Sequence, residues 1–403
     1  MFESYLRANG LKAKLFFLFW TVSTLGSDAS LSGGFAGSLL MKQQQDVSQA
    51  KSSGAALPPL WLPVDSANLR VTQTLLPLIH AAEVQTELGL SADQVKSLES
   101  ALAEIDGPWW RARNLPVTEQ RMVVADLEAR LLKQLSILLP EKIVRRVQQL
   151  ELQLQTSRLL LRPDVAKFLE LTPPQIAEID SMISDTEKIS SEIEKLSQTN
   201  KDPALLEKAQ QRLAEARKIE IQDSQDTLKP AQRQKLTQVL GTLFDFSKCE
   251  RIYPLAPELV SSAEWFGTNP GTLSELRGKV VVVHFYAFQC INCQRNFGRY
   301  NEWADQFKNE DVVLIGIQTP ETSAESDPLQ VRRAAEKDAM KFPVLIDLER
   351  QNWDAWGNTM WPTVYVIDKQ GYIRMWWQGE LNWEGAKTDQ VIAEAIKKLL
   401  HEK

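Results

Sequence analysis

The sequence predicts two structural classes in one chain: an all-α region built of helical repeats, then an α/β domain at the C-terminus. Three observations predict this. Residues 70–245 are rich in Leu, Gln, Glu, Lys and Ala and poor in glycine, a composition that favours helix. Eight of the twelve tryptophans lie beyond Cys249, where Gly267, Pro270, Gly271 and Gly278 break the helical pattern. After that break, β-branched runs alternate with stretches of helical spacing, as in parallel strands joined by helices. The expected organisation is a leader over 1–29, a linker over 30–69, the helical region over 70–245 and the α/β domain over 246–403.

Composition narrows the function classes. The chain has 403 residues, a net charge of −6 and 24% charged residues. The mildly acidic balance argues against a nucleic-acid partner, which usually needs a basic face, so none is expected. Three cysteines are too few for a stapled scaffold, and three scattered histidines (His80, His284, His401) do not make a zinc site. No metal and no cofactor are expected.

The elements follow in order. Arg7, Lys12 and Lys14 precede the apolar run from Leu15 to Leu25, and small residues around Ala29 and Ala36 come next. This reads as a secretory signal. The run is short against the roughly 20 residues of a membrane helix. The reading implies a periplasmic or secreted protein that is soluble after cleavage. Gln43-Gln44-Gln45, Ser52-Ser53-Gly54 and Pro58-Pro59 mark the linker, with Leu60, Trp61 and Leu62 as apolar residues able to dock.

The helical region repeats itself. Leu88 to Val95 (Leu-Gly-Leu-Ser-Ala-Asp-Gln-Val) matches Leu169 to Ile176 (Leu-Glu-Leu-Thr-Pro-Pro-Gln-Ile), and Leu138 to Leu150 matches Leu228 to Leu240. Ser91 and Thr172 each stand three residues before a glutamine, a capping box that opens a helix. Pro140, Pro173 and Pro230 suit first helical positions. Each repeat reads as about three helices. The Leu-x-Leu-Thr-x-x-Gln pattern resembles the LTxxQ signature of Spy/CpxP-type periplasmic proteins, which are helical and chaperone- or stress-related. Repeated capping explains the pattern without any activity, so scaffold, partner docking and chaperone-like binding all stay open for this region.

The α/β domain carries the chemistry. Lys279 to Phe288 (Lys-Val-Val-Val-Val-His-Phe-Tyr-Ala-Phe) reads as a buried, central strand. Cys290-Ile291-Asn292-Cys293 follows at once, and Phe297, Tyr300, Trp303 and Phe307 then keep helical spacing. A cysteine that caps a helix meets the positive end of the helix dipole, which favours its thiolate. Two intervening residues put both sulfurs on the first turn. Cys290 is placed to attack a disulfide and Cys293 to resolve the mixed disulfide. Further strands are expected over 311–317 and 342–347 and in the stretch 356–368 after Trp361-Pro362, with a helix over 328–340, a hairpin at Asp368-Lys369-Gln370-Gly371 and a final helix over 389–401.

At these residues the domain resembles the thioredoxin fold, so the predicted class is α/β thioredoxin-like after an all-α repeat domain. Within that fold it is similar to the secreted TlpA/ResA-type redoxins, and to the DipZ C-terminal type that carries the same Cys-Ile-Asn-Cys-Gln-Arg run. The resemblance covers about residues 255–400. It implies a thiol–disulfide oxidoreductase acting on disulfide- or thiol-bearing proteins. It also implies that Pro362 is a cis-proline facing the active pair, with Trp361, Thr363, Ile291 and Asn292 along the substrate groove. Two residues depart from the family pattern. His284 stands where thioredoxin has a buried acid, and so is either a proton relay or a packed core residue. Gly298 replaces a helix-kinking proline. No basic residue lies between the cysteines, which favours reduction or interchange over oxidation. A reductant outside the cytoplasm would need a membrane electron donor. Ala287 stands where peroxiredoxins place threonine, which disfavours a peroxidase. Cys249 is left over, either buried or paired between molecules.

Overall fold

A computed structural model describes residues 60–63, 70–199, 203–249, 253–260 and 264–402. The expected leader and most of the linker lie outside the described residues. The chain divides into two compact units. One holds the described residues up to Ala101 with Leu115–Ile252, and the other holds Leu102–Asn114 with Tyr253–Lys403.

The first unit is helical. Among its described residues are α1 (Leu75–His80), α2 (Ala82–Glu87), the start of α3 (Ala92–Ala112), α4 (Val117–Leu138), α5 (Glu141–Gln155), α6 (Pro163–Phe168), α7 (Pro173–Thr199), α8 (Pro203–Asp226) and α9 (Pro230–Leu240). At Ser91 both arms of the capping box form: Gln94 N–H donates to Ser91 Oγ (3.3 Å) and Ser91 N–H to Gln94 Oε1 (2.9 Å). At Thr172 the backbone N–H donates to Gln175 Oε1 (3.0 Å). Pro173 and Pro230 open α7 and α9, whereas Pro140 is the N-cap of α5, one residue before the expected place. Its extended ψ of 145° explains the shift, and its carbonyl accepts the first helical N–H groups. Trp61 docks in the apolar core with Leu152, Leu160, Ile179 and Val239. The Gln148 amide brackets its backbone, accepting from Trp61 N–H (3.0 Å) and donating to Trp61 O (2.8 Å).

The second unit is a mixed sheet with helices. Its elements are β1 (Glu264–Phe266), β2 (Val280–Tyr286), α10 (Ile291–Gln306), β3 (Val312–Gln318), α11 (Pro328–Lys337), β4 (Val344–Ile346), α12 (Gln351–Ala355), β5 (Thr363–Ile367), β6 (Ile373–Gln378) and α13 (Thr388–His401). The strand order is β1-β4-β3-β2-β5-β6. β2 pairs parallel to β3 and antiparallel to β5, so the valine run lies inside the sheet, buried at every position. β5 and β6 form the expected hairpin, with Asp368 Oδ1 accepting the Gln370 and Tyr372 N–H groups and Gly371 at φ 88°. A positive φ there suits glycine. This is a thioredoxin-like fold, and α10 runs through Gly298 as one helix.

The two faces of β2 bury different partners, as strand alternation requires. Val281, Val283 and Phe285 join the core of Trp353, Trp356, Tyr365 and Trp110. His284 and Tyr286 face α10: the His284 ring stacks on Tyr300 at 4.0 Å, and Tyr286 meets Phe297 edge-on at 5.3 Å. Gly316 pairs with His284 across β2 and β3, and a Cβ there would come within 3.2 Å of the ring.

Residues 102–114 pack with this unit, although the expected boundary at 246 leaves them out. Trp110 inserts into the aromatic core, 4.8 Å from Trp376, and its Nε1–H donates to Trp356 O (3.0 Å). The Arg113 guanidinium lies 4.0 Å over the Trp110 ring and donates to Trp356 O (3.0 Å) and Gly357 O (2.8 Å). Asp106 Oδ2 accepts the Leu255 N–H (2.8 Å). Helix-forming composition reports local preference, not which core a helix face joins, and that is why the segment was hidden.

Candidate functional site

The site begins where β2 ends. The chain leaves the sheet at Ala287, turns, and enters α10 with Cys290 as N-cap in an extended conformation (φ −69°, ψ 114°). The Cys290 carbonyl accepts the Cys293 and Gln294 N–H groups (3.0 and 3.1 Å), which places Cys293 on the first turn. Both are thiols here. Cys290 is half-buried and Cys293 fully buried.

Their environments push them apart. Cys290 is held down to about 7, chiefly by the hydrogen bond from the Cys293 thiol and further by the Cys293 and Asn292 backbone N–H groups. Partial burial and the Glu321 charge act against this. Cys293 is pushed up strongly, first by burial and then by donating to Cys290. A thiol held near neutral therefore sits beside one that keeps its proton.

The second half of the site comes from the entry to β5. The Trp361–Pro362 peptide is cis and Pro362 is buried. Pro362 O accepts the Gly379 N–H (2.8 Å), and Gly379 O accepts the Asn296 side-chain amide (3.3 Å). Asn296 stands one turn beyond Cys293, and its Oδ1 accepts the Leu381 N–H (3.0 Å). This relay of bonds ties α10 to the cis-proline segment. Arg295 adds an ion pair with Glu380.

The other expected site residues fall in different places. Ile291 is 57% exposed beside Cys290, and Met360 is 46% exposed just before Trp361, so apolar surface borders both halves. Asn292 is partly buried. Trp361 is partly buried, stacks on Trp353 at 4.0 Å and donates from Nε1 to Thr319 O (3.1 Å). Thr363 is fully buried and its hydroxyl donates to Met360 O (2.8 Å), so its side chain faces inward. His284 is fully buried, its ring nitrogens have no hydrogen-bond partner among the described residues, and burial lowers it to about 3. That is the setting of a neutral packed ring. Cys249 lies in the helical unit, where burial, with Glu83 and Asp245, pushes its thiol up to about 12. Sequence reasoning did not single out Glu321 or Glu325. A capping-box signal, Thr322 followed three residues later by Glu325, was present but resembles many others.

Part of the chain is similar to known proteins. Residues 260–375 match the family described as AhpC/TSA family. DipZ of Mycobacterium bovis is 34% identical over 136 residues, which is 33% of this chain and 20% of the relative's length. ResA of Geobacillus thermodenitrificans, a thiol-disulfide oxidoreductase, is 29% identical over 115 residues, 28% of this chain and 63% of its own. The crystal structure of a thiol-disulfide isomerase from Corynebacterium glutamicum is matched at 23% identity and a TM-score of 0.33, over 37% of this chain and 98% of that one. The C-terminal region is thus an AhpC/TSA thioredoxin-like domain homologous to DipZ and ResA. The chain spans about a fifth of the length of the DipZ protein it matches.

Proposed function

We propose that the protein is a thiol–disulfide oxidoreductase that works through Cys290 and Cys293. The observation that carries the reading is the divided pair: a half-buried Cys290 at the head of α10, held near 7, against a buried Cys293 that keeps its proton. At pH 7 about half of Cys290 is thiolate. The Cys290 thiolate attacks one sulfur of a target disulfide, forming a mixed disulfide and releasing the other target sulfur as a thiolate. Cys293 then loses its proton to solvent and attacks Cys290 Sγ. The mixed disulfide breaks, the second target thiolate leaves, and a Cys290–Cys293 disulfide remains. Two electrons have passed to the target.

In this reading Trp361 and Pro362 align an extended target chain beside Cys290, and the exposed side chains of Ile291 and Met360 meet it. The inward hydroxyl of Thr363 and the packed ring of His284 take no part. Flow runs toward reduction or interchange, because Ile291 and Asn292 bring no positive charge to the thiolate and Glu321 opposes it. The reduced pair is then restored by a membrane electron donor, and the protein works outside the cytoplasm. Among the described residues no helix is long and apolar enough to cross a membrane. The helical unit serves as the docking module for a partner. Catalysed reduction of insulin disulfides tests the core of this proposal, since it requires both cysteines.

A further inference from the structure

The loop after β3 touches both halves of the site. Glu325 in this loop is fully buried, although it carries a carboxylate. Gln289 N–H, one residue before Cys290, donates to its Oε1 (2.7 Å). The N–H groups of Glu321 and Thr322 donate to its Oε2 (2.8 and 2.9 Å). Thr322 adds a second link to the same turn, its hydroxyl donating to Gln289 Oε1 (2.8 Å). On the other side the loop meets the cis-proline segment. Trp361 Nε1–H donates to Thr319 O (3.1 Å) and the Arg350 guanidinium to Pro320 O (3.0 Å). Arg350 also lies over the rings of Trp353 and Trp361, at 5.0 and 5.2 Å.

A buried carboxylate persists only where donors satisfy it. Here the donors are backbone N–H groups from two separate stretches, so the carboxylate works as a clasp between them. An apolar residue would leave these N–H groups without this acceptor. A glutamine would keep one acceptor oxygen and turn an NH2 group against the others. We propose that Glu325 is a positioning residue for Cys290, tying the turn before α10 to the loop after β3. The clasp fixes the sulfur against the helix N-terminus and sets its separation from Glu321. The inference rests on the reading of Cys290 as nucleophile.

The test measures alkylation of Cys290 by iodoacetamide across pH, in the reduced full-length protein with Cys249→Ser, resolving the modified cysteine by mass. Cys293, the Asn292 backbone N–H and Glu321 also act on this thiol, and Glu325→Gln leaves all three in place. Glu325→Gln should loosen the turn and move the Cys290 midpoint up. A rise of about one pH unit slows alkylation at pH 7 about fivefold. Glu321→Gln should move the midpoint down, because it removes an opposing charge and leaves the clasp. If Glu325→Gln leaves the midpoint unchanged, or lowers it as Glu321→Gln does, the proposal is overturned, whatever happens to the melting temperature. If Glu325→Gln fails to fold by circular dichroism, Thr322→Val carries the test. Its midpoint should also rise, and an unchanged midpoint overturns the proposal. A parent protein whose Cys290 titrates as an ordinary thiol would overturn the functional reading and this inference together. An unchanged Glu325→Gln profile overturns only the inference.

Discussion

Both compact units bury glutamates, but Glu325 gathers backbone N–H donors from two separate stretches where Glu128 meets donors from one. In the helical unit, Glu128 on α4 accepts the Leu76 N–H (3.1 Å), and Glu151 on α5 accepts from Gln155 (3.0 Å) and Arg162 (3.5 Å). Burial pushes both carboxyls up, and the Glu151 charge pushes Glu128 further. In the thioredoxin-like unit, Glu325 is met by N–H donors of the Cys290 turn and the β3 loop. The first arrangement lets helices pack over acids that are costly to ionise. The second spends a buried acid on holding one backbone turn in place. The same residue type is therefore a packing burden in one unit and a geometric tool in the other.

The cysteines give the largest way to break this contrast. Cys290→Ser should lower insulin-disulfide reduction by about 10³-fold or more, since a hydroxyl does not replace a thiolate in exchange. Cys249→Ser, in the helical unit, should leave the rate within about twofold, because its thiol is pushed up to about 12 and stays protonated. Equal losses from both would end the assignment of chemistry to one unit.

A second prediction concerns the segment that sequence assigns elsewhere. Trp110→Ala should destabilise the thioredoxin-like unit by about 3–5 kcal/mol, the usual cost of emptying a buried aromatic site. Native-state hydrogen exchange on β2 and β5 amides reads this directly. Unchanged protection there would show that residues 102–114 are not part of that core.

The smallest effect should appear with Glu128→Gln. A carboxyl raised in the folded state contributes stability that is full below its unfolded value and is lost as pH rises through its folded value. Wild type should therefore lose stability relative to Glu128→Gln between acid and neutral pH. The variant should gain stability relative to wild type as pH rises from acid to neutral, because burial and the Glu151 charge hold the Glu128 carboxyl up. Paired urea titrations at pH 5 and pH 7.5 check this. A gap that widens toward acid would contradict the account.

Legibility in the sequence followed the range of the interactions. β2 and the cysteine pair were plain because a valine run meeting Cys-x-x-Cys is local. The capping glutamines Gln94 and Gln175 were plain for the same reason. The cis bond at Pro362 was pointed to only by resemblance, since spacing alone reads it as a strand-entry proline. Glu325 was invisible because its partner Gln289 is brought to it by the sheet, through the pairing of β2 with β3. Trp110 was invisible because a helical pattern does not announce where its face packs. His284 had two readings, and only its burial between stacked tyrosines, with no hydrogen-bond partner for its ring among the described residues, favours packing.

The central claim is that Cys290 forms the bond to the target and Cys293 releases it. Replacing the resolving cysteine tests this most directly. Purified Cys293→Ala protein, presented with reduced and oxidised protein extracts, should accumulate a dithiothreitol-sensitive adduct joined through Cys290, identified by mass. Absence of any adduct under oxidising conditions, or an adduct joined through Cys249, would contradict the account.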